Sequence, residues 1–365
     1  MATIAVLGGS GLAGRGIAQF LLDRKDVTVV LMGRTQSTLE DTARSLGGDR
    51  VIVRQVDARD PGGLREALTD IDLLVVAAPL LETCEEIARA ALDTGTDWLD
   101  IMLDIPPKLQ ALNYLGDEFE EAGLKLIAGT GAHPGLPAVM VRALADEFTD
   151  MTDVEVGMLM AMDWKNAMAS KDTAAEFAVE GLHFRSAGWV NGEYRSYSWI
   201  DPRATRRIDF GPPFGKRGCV CMELAEIKGL KALYPKLINA SMFMAGFSPI
   251  VDWIIMPTSI MMITISKKLA APATKLLWWG LERFSKPPYG LSLTVDAEGS
   301  GHAPITMTLK HEDGYWLTSA VAAATIDQYL DGMITAPGLH QAALVVDPHR
   351  LLADLEARGI EIDRT

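Results

Sequence analysis

"AVLGGSGLAGRGIAQFL", residues 5–21, sets Gly8, Gly11 and Gly14 three apart directly after an apolar run. An apolar segment of strand length, a glycine-rich turn and a helix pattern starting near Leu12 make the unit that holds a dinucleotide pyrophosphate. Glycine lets the backbone turn tightly and lets phosphate approach without meeting a Cβ. The unpaired N–H groups of the helix start then bind the anion. Gly8, Gly9, Ser10, Gly11, Leu12, Ala13 and Gly14 are therefore the expected phosphate-loop residues, with Ser10, Leu12 and Ala13 as backbone donors. A glycine triplet alone is a weak signal. Its position after a strand, at the head of a long alternation of strands and helices, strengthens it.

That alternation runs outward from the loop. "TIAVLG", "VTVVLM" (27–32), "RVIVRQVD" (50–57), "DLLVVAAP" (72–79), "DWLDI" (97–101) and "GLKLIAGTG" (123–131) read as six strands, with helix patterns between them. Apolar strands joined by helices predict an α/β fold, a Rossmann doubly wound parallel sheet. Right-handed crossovers put every strand's carboxyl end on one edge, where ligands bind. After "GTGAHPGLP" the pattern changes to antiparallel strands with helices between, among them a hairpin in "WVNGEYRSY" that turns at Asn191-Gly192. The chain then ends in helical stretches, "WLTSAVAAATIDQYLDGM" and "PHRLLADLEARGI". The expected domains are residues 1–130 and 316–365 for the dinucleotide-binding unit, closed by a helical return. Residues 131–315 would form a second α+β domain for substrate or dimerisation.

The second strand selects the cofactor. It ends "LMGRTQ", without the Asp or Glu that would hold a ribose 2′-OH. Gly33 leaves room and Arg34 supplies a guanidinium, the natural partner of a 2′-phosphate, with Thr35 following. NADP(H) is the expected cofactor. Asp57 and Ala58 end the third strand, where a carboxylate can accept from the adenine amine; Asp57 reads equally as the N-cap of a helix over 61–68. Ala78 and Pro79 end the fourth strand, and their small size lets the nicotinamide-side ribose pass close to the backbone.

The 365 residues carry a formal net charge of −14 and show no Lys/Arg-rich run, so nucleic-acid binding is not expected. Cys84, Cys219 and Cys221 make no disulfide framework and no zinc spacing. With Met1 leading straight into a strand, they fit a cytoplasmic protein. The run 249–265, "PIVDWIIMPTSIMMITI", is broken by Asp252 and Pro257. A spanning helix needs about 20 apolar residues. The wider region 238–281 is therefore expected to be a hydrophobic tunnel, a homodimer face or a membrane contact, and not a span.

"GGSGLAGRGIAQFL", "GR" after the second strand, "VDARD", "VVAAP", "CEEIARAALDTGTDWLDI" and "GTGAHPGLP" follow one another in an order that resembles the saccharopine dehydrogenase-like (saccharopine reductase-type) NADP-binding oxidoreductase family. The tail from "GYWLTSAV" is also similar, whereas the middle matches poorly. The resemblance implies an NADP-dependent enzyme acting on an imine C=N or an amine. It places Asp100 on the family's strand-end acidic position. It also matches Gly131, Pro134 and Gly135 to its G-x-x-P-G turn, within which His133 is a departure.

Hydride transfer needs no protein nucleophile, only orientation and a proton. Asp100 and His133 are the expected catalytic residues; Asp104 reads as a helix cap, and Asp163, Lys165, Arg185, Arg195 and the "RATRR" run as charged surface. No tyrosine has Lys four residues later, which argues against a short-chain dehydrogenase, and no G-x-S-x-G or H-E-x-x-H occurs. Reduction of a hydrophobic enoyl or lipid-like small molecule, or non-catalytic NADP(H) binding as a scaffold, are the alternatives. Replacing Arg34 by Ala is expected to weaken NADPH about tenfold or more, the worth of a charge-assisted hydrogen bond. NADH binding should stay unchanged, with both affinities read by quenching of tryptophan fluorescence.

Overall fold

Ile4, Ala5, Val6 and Leu7 are wholly or almost wholly buried, as a strand covered on both faces requires. They form β1 (Ala2–Leu7), an inner strand of a seven-stranded sheet in the computed structural model, which describes residues 1–165, 183–198, 201–246 and 248–365. The chain continues through β2 (Val27–Gly33), β3 (Val51–Gln55), β4 (Leu73–Val76), β5 (Asp97–Asp100) and β6 (Lys125–Ala128). The helices α1 (Leu12–Leu21), α2 (Gln36–Leu46), α3 (Pro61–Ala67), α4 (Cys84–Thr94) and α5 (Pro106–Glu121) make the crossovers. All neighbours pair in parallel, in the order β6-β5-β4-β1-β2-β3. The order reverses beside β1, and the first crevice of a doubly wound sheet opens there. Leu7 stands level with Met32 on one side and Val76 on the other, so three strands end together at that point.

The chain divides into two units, Met1–Leu136 with Tyr315–Arg358, and Pro137–Gly314 with Gly359–Thr365. The return to the first unit was expected to be helical throughout. It is helical over Gly314–Leu330 and Pro348–Ala357, but Gly338–Gln341 adds a seventh strand, parallel to β6. "GLHQ" is short and half polar, so no strand periodicity marks it; the open edge of β6 recruits it. A second difference concerns the last residues. Glu361–Arg364, expected in the dinucleotide unit, pair antiparallel with the strand Ile305–His311 of the other unit.

That second unit is built on a mixed nine-stranded sheet. The long strand Asp150–Ala161 lies at its middle, parallel to Asn239–Ala245 and antiparallel to Gly290–Ser300. The hairpin Ala187–Val190 with Glu193–Ser196 turns at Asn191 and Gly192, both at positive φ (52° and 81°), the two-residue turn that suits twisted strands. Among the described residues, no helix is long and apolar enough to cross a membrane.

Candidate cofactor and active site

The opening loop is shaped by contacts that only glycine permits. Gly8 has φ +88°, and a Cβ on it would lie 2.6 Å from the carbonyl oxygen of Ala77 at the end of β4. A Cβ on Gly14 would lie 2.3 Å from the carbonyl oxygen of Gly8. The first turn of α1 is thereby pulled against the end of β1. The N–H groups of Gly8 and Gly9 are spent on Met32 O (2.9 and 3.2 Å), and that of Gly11 on Gly8 O (2.9 Å). Gly11 is the N-cap of α1, with no side-chain cap and no acidic residue in the first turn. The Leu12 and Ala13 N–H groups are left with no backbone partner among the described residues, beside exposed Ser10. A helix start without its own cap is an anion site.

The remaining predicted cofactor residues line the same edge in strand order. Ala78 and exposed Pro79 follow β4, Gly8 follows β1, Gly33 ends β2 level with Gln55 of β3, and Asp57 lies two residues further on. Exposed Arg34 and Thr35 lead into α2, whose N-cap Thr35 makes no side-chain cap bond. A Cβ on Gly33 would meet nothing closer than Leu39 at 3.5 Å, so the space there is open. Asp57 does not cap the helix over 61–68. Asp60 does, accepting from Gly62 N at 3.1 Å, while Asp57 closes its own turn by accepting from Arg59 N at 3.0 Å. Its other carboxylate oxygen has no hydrogen-bond partner among the described residues. Ala58 is buried in the core and supplies packing.

Asp100 sits differently from the open catalytic carboxylate expected. Its side chain and those of Lys108 and Asp104 are fully buried. Lys108 Nζ donates to Asp100 Oδ1 (2.5 Å), Asp104 Oδ1 (2.8 Å) and the Met102 carbonyl (2.9 Å). Asp100 also accepts from Trp98 Nε1 and Met102 N, both at 3.0 Å. Burial works against the charge on Lys108, but the two carboxylates outweigh it and hold the ammonium above its ordinary range. Burial pushes Asp104 up, against the pull of Lys108. Asp104, read from the sequence as a helix cap, is thus an ion-pair partner; Ile105 is the residue at the N-cap of α5. The Asp100 oxygens are taken up by these donors, which makes its carboxylate part of a buried ion-pair cluster. Lys108, its key partner, was missed. The available signal was the four-residue step from Asp104, one helical turn on the same face.

The Asp100 carboxylate also meets the loop after β6, accepting from Gly129 N at 3.4 Å. Thr130 N donates to the Asp100 carbonyl at 2.8 Å. The loop is closed by Gly131 N to Pro134 O (2.8 Å) and Leu136 N to Gly131 O (3.0 Å). His133 lies on it, with Nε2 buried and lacking a hydrogen-bond partner among the described residues. Burial pushes its imidazole down from 6.5 to about 4, so it is neutral at pH 7. In the second unit, Arg195, Arg203 and Arg206 are held by Glu193, Asp201 and Glu155 in surface ion pairs. No group of His, Cys, Asp or Glu among the described residues could hold a metal.

A parallel sheet of order 3-2-1-4-5-6, with a glycine cradle at the switch point, defines a Rossmann dinucleotide-binding domain, here joined to a mixed-sheet domain. Residues 4–127 match the family model of the saccharopine dehydrogenase NADP binding domain. The chain is similar to carboxyaminopropylagmatine dehydrogenase of Synechocystis sp. (25% identical over 258 residues, 67% of this chain and 62% of the relative). It is also similar to carboxynorspermidine synthase of Vibrio cholerae (25% over 245 residues, 63% of this chain and 55% of the relative). Both matches thus span less than two thirds of the relative's length. The fold is that of apo saccharopine dehydrogenase (L-Glu forming) from Saccharomyces cerevisiae, at a TM-score of 0.70 and 14% identity over the whole of both chains.

Two outcomes follow from the buried groups. Lys108→Met leaves Asp100 and Asp104 facing each other without their cation, and urea unfolding should show a loss of about 3–5 kcal/mol. For His133, the unfolded chain takes up a proton near pH 6.5 and the folded chain only near pH 4. The unfolded state therefore binds more protons in that window, and stability falls as pH drops through it. His133→Gln should flatten this part of the urea-midpoint profile relative to the wild type.

Proposed function

We propose that the chain is an NADP(H)-dependent oxidoreductase that reduces an imine C=N bond of a small molecule, or oxidises the corresponding amine. The observation that carries this reading is the row of Ala78, Gly8, Gly33 and Arg34 along one sheet edge, with uncapped N–H groups at its centre. The choice of C=N is supported by the relatives, one of them named a dehydrogenase of carboxyaminopropylagmatine and the other a carboxynorspermidine synthase. Bound NADP(H) would supply the hydride.

The chain's own residues bind and orient. Leu12 and Ala13 N–H would hold the pyrophosphate, Arg34 the 2′-phosphate, and Asp57 the adenine amine. Small Ala78 and exposed Pro79 would let the nicotinamide half lie against the backbone. His133, neutral at pH 7, would exchange the proton at Nε2 on a loop anchored through Asp100. Asp100 itself would act only by holding that loop.

Loss of NADPH absorbance, followed with imines preformed from amines and oxo acids, tests this. Imine-dependent oxidation is expected, and His133→Gln should lower kcat roughly a hundredfold, the scale of general acid–base catalysis, without changing the Kd for NADPH. NADPH binding with no oxidation by any imine would favour a cofactor-binding scaffold. Oxidation by hydrophobic enoyl compounds alone would move the acceptor from C=N to C=C.

A further inference from the structure

The most apolar part of the chain folds into two helices of the second unit. A π-helical turn, Val251–Ile255, runs into the helix Met256–Ile265, and Ala270–Phe284 packs back along it. Val251, Ile255, Ser259 and Ile263 face inward, one helical turn apart. Ile255 sits in the gap left by Gly280 on the second helix. The outward face is also apolar. Ile250, Trp253, Ile254, Met261 and Ile265 fall three, four or seven residues apart and are exposed, Ile254 by 61% and Ile265 by 71%, with exposed Trp279 on the neighbouring helix. Large apolar side chains gathered on one exposed face mark a contact surface.

Its charge indicates the partner. Residues 249–288 hold five cations (Lys267, Lys268, Lys275, Arg283 and Lys286) against Asp252 and Glu282, a net charge of +3 in a chain of −14. Lys268, Lys275, Arg283 and Lys286 are exposed, and among the described residues Lys268, Lys275 and Lys286 have no ion-pair partner. A two-fold homodimer contact through this face would set the same cations against each other. Tryptophan flanked by lysines, over an apolar stripe too short to span, suits an anionic bilayer surface, where the rings sit at headgroup depth and the ammonium groups meet lipid phosphate.

We propose that the face formed by Ile250–Ile265 and Ala270–Lys286 docks the protein onto an anionic lipid bilayer, lying in the interface without crossing it. The full chain should co-sediment with phosphatidylcholine vesicles containing phosphatidylserine, and far less with phosphatidylcholine alone. High salt should release it, because screening shortens the reach of the lysines. Each cation near such a surface contributes about fivefold, so Lys268→Glu/Lys275→Glu should weaken binding by well over tenfold. Ile254→Ser/Ile265→Ser should weaken it too, with the melting temperature and NADPH binding of both variants unchanged. In the wild type alone, brominated lipids should quench tryptophan fluorescence, a readout independent of any variant's folding. Failure of the wild type to bind phosphatidylserine vesicles overturns the proposal. So does undiminished binding by both variants, or a wild type that self-associates or captures an acidic protein through this face while ignoring vesicles.

Discussion

The carbonyl oxygen of Gly8 lies where a Cβ on Gly14 would be, 2.3 Å away, and much of the first unit follows from that approach. It draws the start of α1 down onto the end of β1. It leaves first-turn N–H groups pointing out of the sheet edge with no cap of their own. The same turn presses Gly8 against Ala77 and Ala78, so β1 and β4 end side by side with nothing between them. A larger side chain at either glycine would have to displace backbone, and backbone here is hydrogen-bonded to β2 through Met32. The cradle is thus a product of close backbone packing.

A second constraint lies two strands away in sheet order and is electrostatic. Lys108 brings the charge of α5 into the core, and Asp100 and Asp104 meet it there. Burying three charges is costly, and it succeeds because backbone and indole N–H groups complete the shell around Asp100. The cluster ties β5, the following loop and α5 together. Through Gly129 N, which donates to Asp100 Oδ1 at 3.4 Å, it also touches the start of the segment that carries His133. The two groups are thus left in different states: one carboxylate is locked away, while the His133 imidazole keeps a buried nitrogen with no hydrogen-bond partner among the described residues.

The legible parts of the sequence were those with local causes. Buried parallel strands are continuous apolar runs, and the glycine loop and Gly33-Arg34 are adjacent in the chain to the strand ends that present them. The hairpin at Asn191-Gly192 was legible for the same reason, since two residues set the turn. What escaped depended on distant partners. The strand Gly338–Gln341 exists because β6 offers an edge, and Glu361–Arg364 joins the other sheet because Ile305–His311 does. Asp57 and Asp60 are both Asp at a strand-to-helix turn, and only the backbone path shows which one caps.

By itself the sequence determined the class of fold, the place of the glycine-rich turn after β1 and the expectation of NADP(H), because each rests on a run of neighbouring residues whose chemistry is local. Tertiary structure decided the roles of the charged groups. An aspartate at a strand end reads the same whether it faces a ligand or a lysine, and only packing revealed that Asp100 faces Lys108. Packing likewise divided the apolar stretch around 250–284 into an inner stripe that is covered and an outer one that is not. Hydropathy summed along the chain cannot separate two faces of one helix.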